Sequence, residues 1–64
     1  MKEYLVLLFD DNCDICSSFQ TRAMYMDSVR WSNIVFDMIN YTKSTIESLL
    51  VVCLDDGKYR RYKI

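Results

Sequence analysis

The feature that most constrains this chain is the run Tyr4-Leu5-Val6-Leu7-Leu8-Phe9, closed by Asp10 and Asp11. A continuous apolar run without alternation is the pattern of a strand buried on both faces at the centre of a sheet, so helices are expected on two sides of it. The run is far short of the ~20 apolar residues that cross a bilayer. It also lacks the marks of a secretory signal, because Lys2 is followed at once by Glu3 and no small-residue cleavage site comes after. These features predict a cytoplasmic protein with no membrane partner.

With 64 residues the chain forms a single domain, 1–64. A fold this short buries only about 60% of the surface of its unfolded chain, so its stability is small. The hydrophobic fraction of 52%, one Gly and no Pro exclude a disordered or low-complexity chain. Eight basic against nine acidic residues leave a net charge of -1, which offers no long-range attraction to nucleic acid.

Between Asp14 and Val29, residues Ile15, Phe19, Ala23 and Met26 recur at three-to-four spacing, which predicts a helix with one buried stripe, N-capped by Asn12. Ile34-Val35-Phe36, bounded by Ser32-Asn33 and Asp37, reads as a second strand, parallel to the first through a right-handed crossover. Ser44 three residues before Glu47 reads as a capping box opening one or two helical turns over residues 42–48. Residues 49–54 form a third apolar strand, Asp55-Asp56-Gly57-Lys58 a hairpin turn, and residues 59–64 a basic edge strand whose charges discourage pairing with other chains.

Three cysteines are present. Cys13 and Cys16 are too close in sequence to staple distant segments, which favours redox or metal chemistry over a disulfide scaffold. At a helix N-terminus, unpaired backbone N–H groups and the helix dipole would favour the Cys13 thiolate, and Cys16 one turn on would resolve a mixed disulfide. Asp10 is placed to accept the proton of Cys16 as a general base. Asp11 and Asp14 oppose a thiolate by their negative charge. Cys53 reads as a small buried hydrophobe. The competing use of the three cysteines is a zinc site completed by a carboxylate such as Asp10. Trp31, Met24 and Met26 read as packing residues, with no cofactor pattern around them.

The residues Phe9-Asp10-Asp11-Asn12-Cys13-Asp14-Ile15-Cys16 resemble the signature of the DCC family of thiol-disulfide oxidoreductases, with Asp10, Cys13 and Cys16 matching position by position. The similarity resumes at Ile46-Glu47-Ser48-Leu49-Leu50-Val51-Val52 and Asp55-Asp56-Gly57-Lys58-Tyr59. Asp11 stands where that family usually carries Gly, and the chain lacks the family's longer connection and last helix. Residues and resemblance together predict an α/β thioredoxin-like fold: a four-stranded mixed sheet of order 2-1-3-4 with the Cys-x-x-Cys helix after strand 1 and no C-terminal helix. The expected activity is thiol-disulfide exchange with a protein or small-molecule substrate, with Cys13 as nucleophile and Cys16 resolving. Asn12, Asp14, Ile15, Glu47 and Ser48 would line the substrate groove, the last two in place of the cis-proline of thioredoxins. The alternative is a metal-binding or protein-interaction module that keeps the fold. A sheet with one covered face would be completed by a homodimer.

Overall fold

A computed structural model describes residues 1–41 and 45–64 of the chain. Its elements are β1 (Lys2–Asp10), β2 (Ile15–Ala23), α1 (Met26–Arg30), α2 (Asn33–Tyr41), β3 (Ile46–Cys53) and β4 (Tyr59–Lys63). The strands form one sheet of order β2-β1-β3-β4, and every neighbouring pair is antiparallel. The expected thioredoxin-like fold is therefore not formed. The order 2-1-3-4 recurs, but its second strand is residues 15–23 and no crossover makes a parallel pair.

Two local misreadings account for the difference. Residues 15–23 carry apolar positions that suit a helical stripe, yet they also alternate: Ser17, Phe19, Thr21 and Ala23 are half-buried while Ser18, Gln20 and Arg22 are exposed. The alternating period prevails because the strand can pair along the whole of β1, Lys2 opposite Ala23 and Leu8 opposite Ser17. The segment 10–14 is dense in Asp and Asn, whose side chains bind nearby backbone N–H groups in turns as readily as at helix caps.

The opposite exchange occurs at residues 34–36, where the expected strand is a helix. Val35, Met38 and Ile39 recur at helical spacing; Val35 is buried and the other two pack against the core. Ser32 starts this helix as its N-cap, its Oγ accepting the Val35 N–H at 3.4 Å while its hydroxyl donates to the Val29 carbonyl at 2.8 Å. In α1, Asp27 stands in the first turn and Arg30 in the last, each complementing the helix dipole. The expected capping box is absent at its described end, because Ile46, Glu47 and Ser48 belong to β3; Ser44 lies outside the described residues.

The core lies on one side of the sheet. Tyr4, Val6 and Leu8 of β1 and Leu49, Val51 and Cys53 of β3 are buried in register, Tyr4 opposite Cys53, Val6 opposite Val51 and Leu8 opposite Leu49. Val29 and Val35 close over them from the two helices. Leu5, Leu7, Phe9, Leu50 and Val52 point to the other face and are half-buried, with no described helix over them. Helices on two sides of β1 were expected; the described ones cover one.

Two tyrosines link this packing to pH. Burial pushes the Tyr4 phenol above its ordinary value of 10.0, helped by Cys53. Tyr62 is raised by burial first and then by its hydrogen bond to Asp27. Both hold their protons more tightly when folded, so their contribution is complete below about pH 10 and is lost as pH rises through the folded values. Urea unfolding at a series of alkaline pH values will show stability falling above about pH 10, and less steeply in Tyr62→Phe. Leu8→Ala is expected to cost about 3 kcal/mol and Leu7→Ala about 1 kcal/mol in the same measurement, since only the first opens a cavity between sheet and helices. Equal losses would mean that the two faces are buried alike.

Candidate redox turn

The β1–β2 connection is a tight turn built by Asp10. Its Oδ1 accepts the backbone N–H groups of Asn12 and Asp14, both at 2.9 Å. The Cys13 N–H donates to the Asp10 carbonyl at 3.1 Å, and the Asp10 N–H to the Asp14 carbonyl at 3.0 Å. The expected general base is thus also the organiser of the turn, a role the sequence reading did not foresee.

This geometry drives Cys13 to φ 63, the left-handed region; among the described residues no other non-glycine residue has positive φ. An L-residue with a Cβ costs roughly 1 kcal/mol there, which glycine would avoid. Cys16 lies at the second irregularity of the hairpin. Leu8 faces Ser17 and Phe9 faces Ile15, so Cys16 is the additional residue of a β-bulge. Its thiol donates a long hydrogen bond to the Asp14 carbonyl at 3.8 Å, and its side chain packs against the core. Cys13 is exposed, Cys16 half-buried, and neither forms a disulfide.

The helix end expected to favour the Cys13 thiolate is missing, because α1 begins only at Met26, after the whole of β2. Other expected site residues do gather here. Asn12, Asp14 and Ile15 belong to the turn or open β2, and all three are exposed. Glu47 and Ser48 lie at the start of β3, on the strand beside β1: Ser48 faces Phe9, Ile46 faces Asp10, and Glu47 is the additional residue of a second bulge. Ser48 is only 6% exposed, since Arg61 donates to its Oγ from Nε at 3.3 Å and Nη2 at 3.2 Å. The same guanidinium sits 4.8 Å from the Phe9 ring centroid. Arg61 is the neighbour that sequence reasoning missed. In sequence it is one of four similar edge charges, and only its hydrogen bonds to Ser48 and its contact with the Phe9 ring single it out.

Cys53 is not part of this group. It is buried opposite Tyr4, five residues along β1 from Phe9, or roughly 16 Å at strand rise. The zinc site of Cys13, Cys16, Cys53 and Asp10 is therefore not assembled. Among the described residues no group of three or more His, Cys, Asp or Glu side chains could hold a metal ion. No helix among them is long and apolar enough to cross a membrane.

No protein-family model, curated protein or solved structure matches this chain. Replacing Cys13 with glycine is expected to stabilise the fold by up to about 1 kcal/mol, because the left-handed backbone no longer carries a Cβ. Asp10→Ala is expected to cost about 1–2 kcal/mol through its two lost N–H partners, while Asp10→Asn keeps an acceptor oxygen and most of that stability. Shifts in urea midpoint measure all three; a destabilised Cys13→Gly would show that the left-handed turn does not form.

Proposed function

We propose that the β1–β2 turn is a thiol-disulfide exchange site in which Cys13 is the nucleophile and Cys16 the resolving thiol. The observation that carries this reading is the coincidence of the two cysteines with the two irregularities of one hairpin, the left-handed residue and the bulge. Backbone strain concentrates at functional positions, and a chain that keeps a thiol where glycine is cheaper retains it against a stability cost. The resemblance of residues 9–16 to the DCC signature is a second, independent support.

In the proposed cycle the Cys13 thiolate attacks one sulfur of a substrate disulfide, which releases one substrate thiolate and leaves a mixed disulfide. Cys16, deprotonated, then attacks Cys13 Sγ, closes the Cys13–Cys16 disulfide and expels the second substrate thiolate. Two electrons pass from the protein dithiol to the substrate, and the protons from Cys13 and Cys16 end on the two released thiols. An external thiol reductant reopens the protein disulfide. The order is supported by exposure, Cys13 being exposed and Cys16 half-buried. Asn12, Asp14 and Ile15 flank Cys13 closely in sequence, and Glu47 and Ser48 lie on β3 beside the end of β1.

An aromatic disulfide that releases a coloured thiolate tests this directly. Native protein should release two thiolates at the turn and end as a Cys13–Cys16 disulfide, whereas Cys16→Ser should release one and retain the aromatic adduct on Cys13, both read by peptide mass. Limiting alkylating reagent should label Cys13 first. Separate adducts on Cys13 and Cys16 with no internal disulfide, or first labelling at Cys53, would refute the assignment.

A further inference from the structure

At the end of the sheet away from the cysteine turn, the start of β1, the segment before α1 and the β3–β4 turn enclose an open cleft of about 570 Å³. That volume falls within the range of small-molecule sites. Its floor includes Tyr4, whose side chain is 3% exposed and whose hydroxyl forms no hydrogen bond with any described residue. No side-chain oxygen or nitrogen among the described residues is both sealed and without a partner, so this hydroxyl opens into the cleft instead of being shut in the core. At neutral pH it is a phenol, and hence a donor.

The residues that line the cleft carry three positive charges, Lys2, Lys58 and Arg60, against two negative ones, Asp27 and Asp56, and Asp55 acts on Tyr4 from outside the lining. Asp27 pairs with Arg60 at 3.4 Å and also accepts the Tyr62 hydroxyl. Asp56 pairs with Lys2 at 3.6 Å and accepts the Lys58 backbone N–H at 2.9 Å. Asp56 is held below the usual carboxylate value by that N–H first and by the Cys53 thiol next, so it remains an acceptor already engaged. Both acids are occupied; the Lys58 ammonium acts on Asp56 at longer range but has no carboxylate within ion-pair distance among the described residues. That leaves one ammonium without a close ion pair and one phenol without a hydrogen bond among the described residues. Above them stand Tyr25 and Tyr59, exposed by 69% and 72%, which place aromatic surface at the rim of the same cleft.

We propose that this cleft binds a small aromatic anion, its acidic group met by Tyr4 and Lys58 and its ring by Tyr25 and Tyr59. A ligand of this kind satisfies each unspent feature: the anion accepts from the phenol and neutralises the ammonium, and its ring covers exposed aromatic surface. A neutral aromatic would leave the donors unmet, and a bare anion would leave the rings uncovered. The site is separate from the cysteine turn, so its occupancy does not depend on the exchange chemistry.

The test is calorimetric titration of the full chain with adenosine monophosphate and with indole acetate, which carry the two common acidic groups, against adenosine and inorganic phosphate as controls. At least one aromatic anion should bind saturably and about tenfold more tightly than either control. Binding by only one of the two identifies the acidic group and supports the site. Tyr4→Phe, which removes a single oxygen, should weaken binding about tenfold, and so should Lys58→Gln, an exposed change that leaves the core intact. In the absence of ligand, the urea midpoint of Tyr4→Phe at neutral pH should be no lower than that of the native chain, because the hydroxyl has no partner among the described residues to lose. No saturation by either anion up to about 10 mM, a weak limit on the affinity scale, would overturn the proposal. So would unchanged affinity in both variants, or a lowered midpoint for Tyr4→Phe.

Discussion

Strand β1 is hydrogen-bonded along both edges, to β2 over residues 2–9 and to β3 over residues 4–10, and the remainder of the molecule is arranged around it. Its alternate residues Tyr4, Val6 and Leu8 form the centre of the core, and their antiparallel partners in β3 supply the matching apolar surface. Because side chains alternate across a strand, one choice of register decides the facing of every residue in three strands at once. A slip of one position would turn Leu5 and Leu7 toward the helices and expose Val6 and Leu8. The single-sided helical cover follows from that choice: Val29 and Val35 meet the even-numbered residues of β1, and the odd-numbered ones remain half-buried on the far face.

The two ends of this sheet carry different chemistry. At the end where β1 stops, the chain must reverse within a few residues, and Asp10 manages this by accepting two backbone N–H groups on one oxygen. The bulges at Cys16 and Glu47 flank the same end of β1 and absorb the mismatch between a tight turn and a regular ladder. Arg61 then fastens β4 across Ser48 and against the Phe9 ring. At the other end the charged residues are largely paired with one another, Lys2 with Asp56 and Arg60 with Asp27. What stands out there is the Tyr4 phenol, without a hydrogen bond among the described residues, and the Lys58 ammonium, without a close ion pair among them.

Helix and strand exchange places between expectation and structure in two segments, and the reason is the same in both. Ile15, Phe19 and Ala23 satisfy a helical stripe, while Phe19 and Ala23 also lie on the inward face of a strand; Val35 sits in a run that suits a strand and begins a helical stripe with Met38 and Ile39. A short apolar pattern meets both periods, so the deciding term is which partner surface each segment finds. For residues 15–23 that surface is the open edge of β1. For residues 33–41 it is the sheet's inner face, entered through the Ser32 cap. The DCC-like spacing of Asp10, Cys13 and Cys16 is present whichever element carries it, which is why the motif was legible and its setting was not.

Local chemistry was readable in the chain itself. The central strand at Tyr4 to Phe9, the Asp55-Asp56-Gly57 turn with Gly57 at φ 77, the basic last strand and the buried Cys53 all follow from residue type and near neighbours. Tertiary structure decided the rest: that β2 is a strand, that every pairing is antiparallel, that Cys53 lies far from the other two cysteines, and that Arg61 binds Ser48 and stacks on Phe9. Each of these depends on which strand edges meet and in what register. That is settled by long-range burial and hydrogen bonding, which residue spacing along one segment does not record.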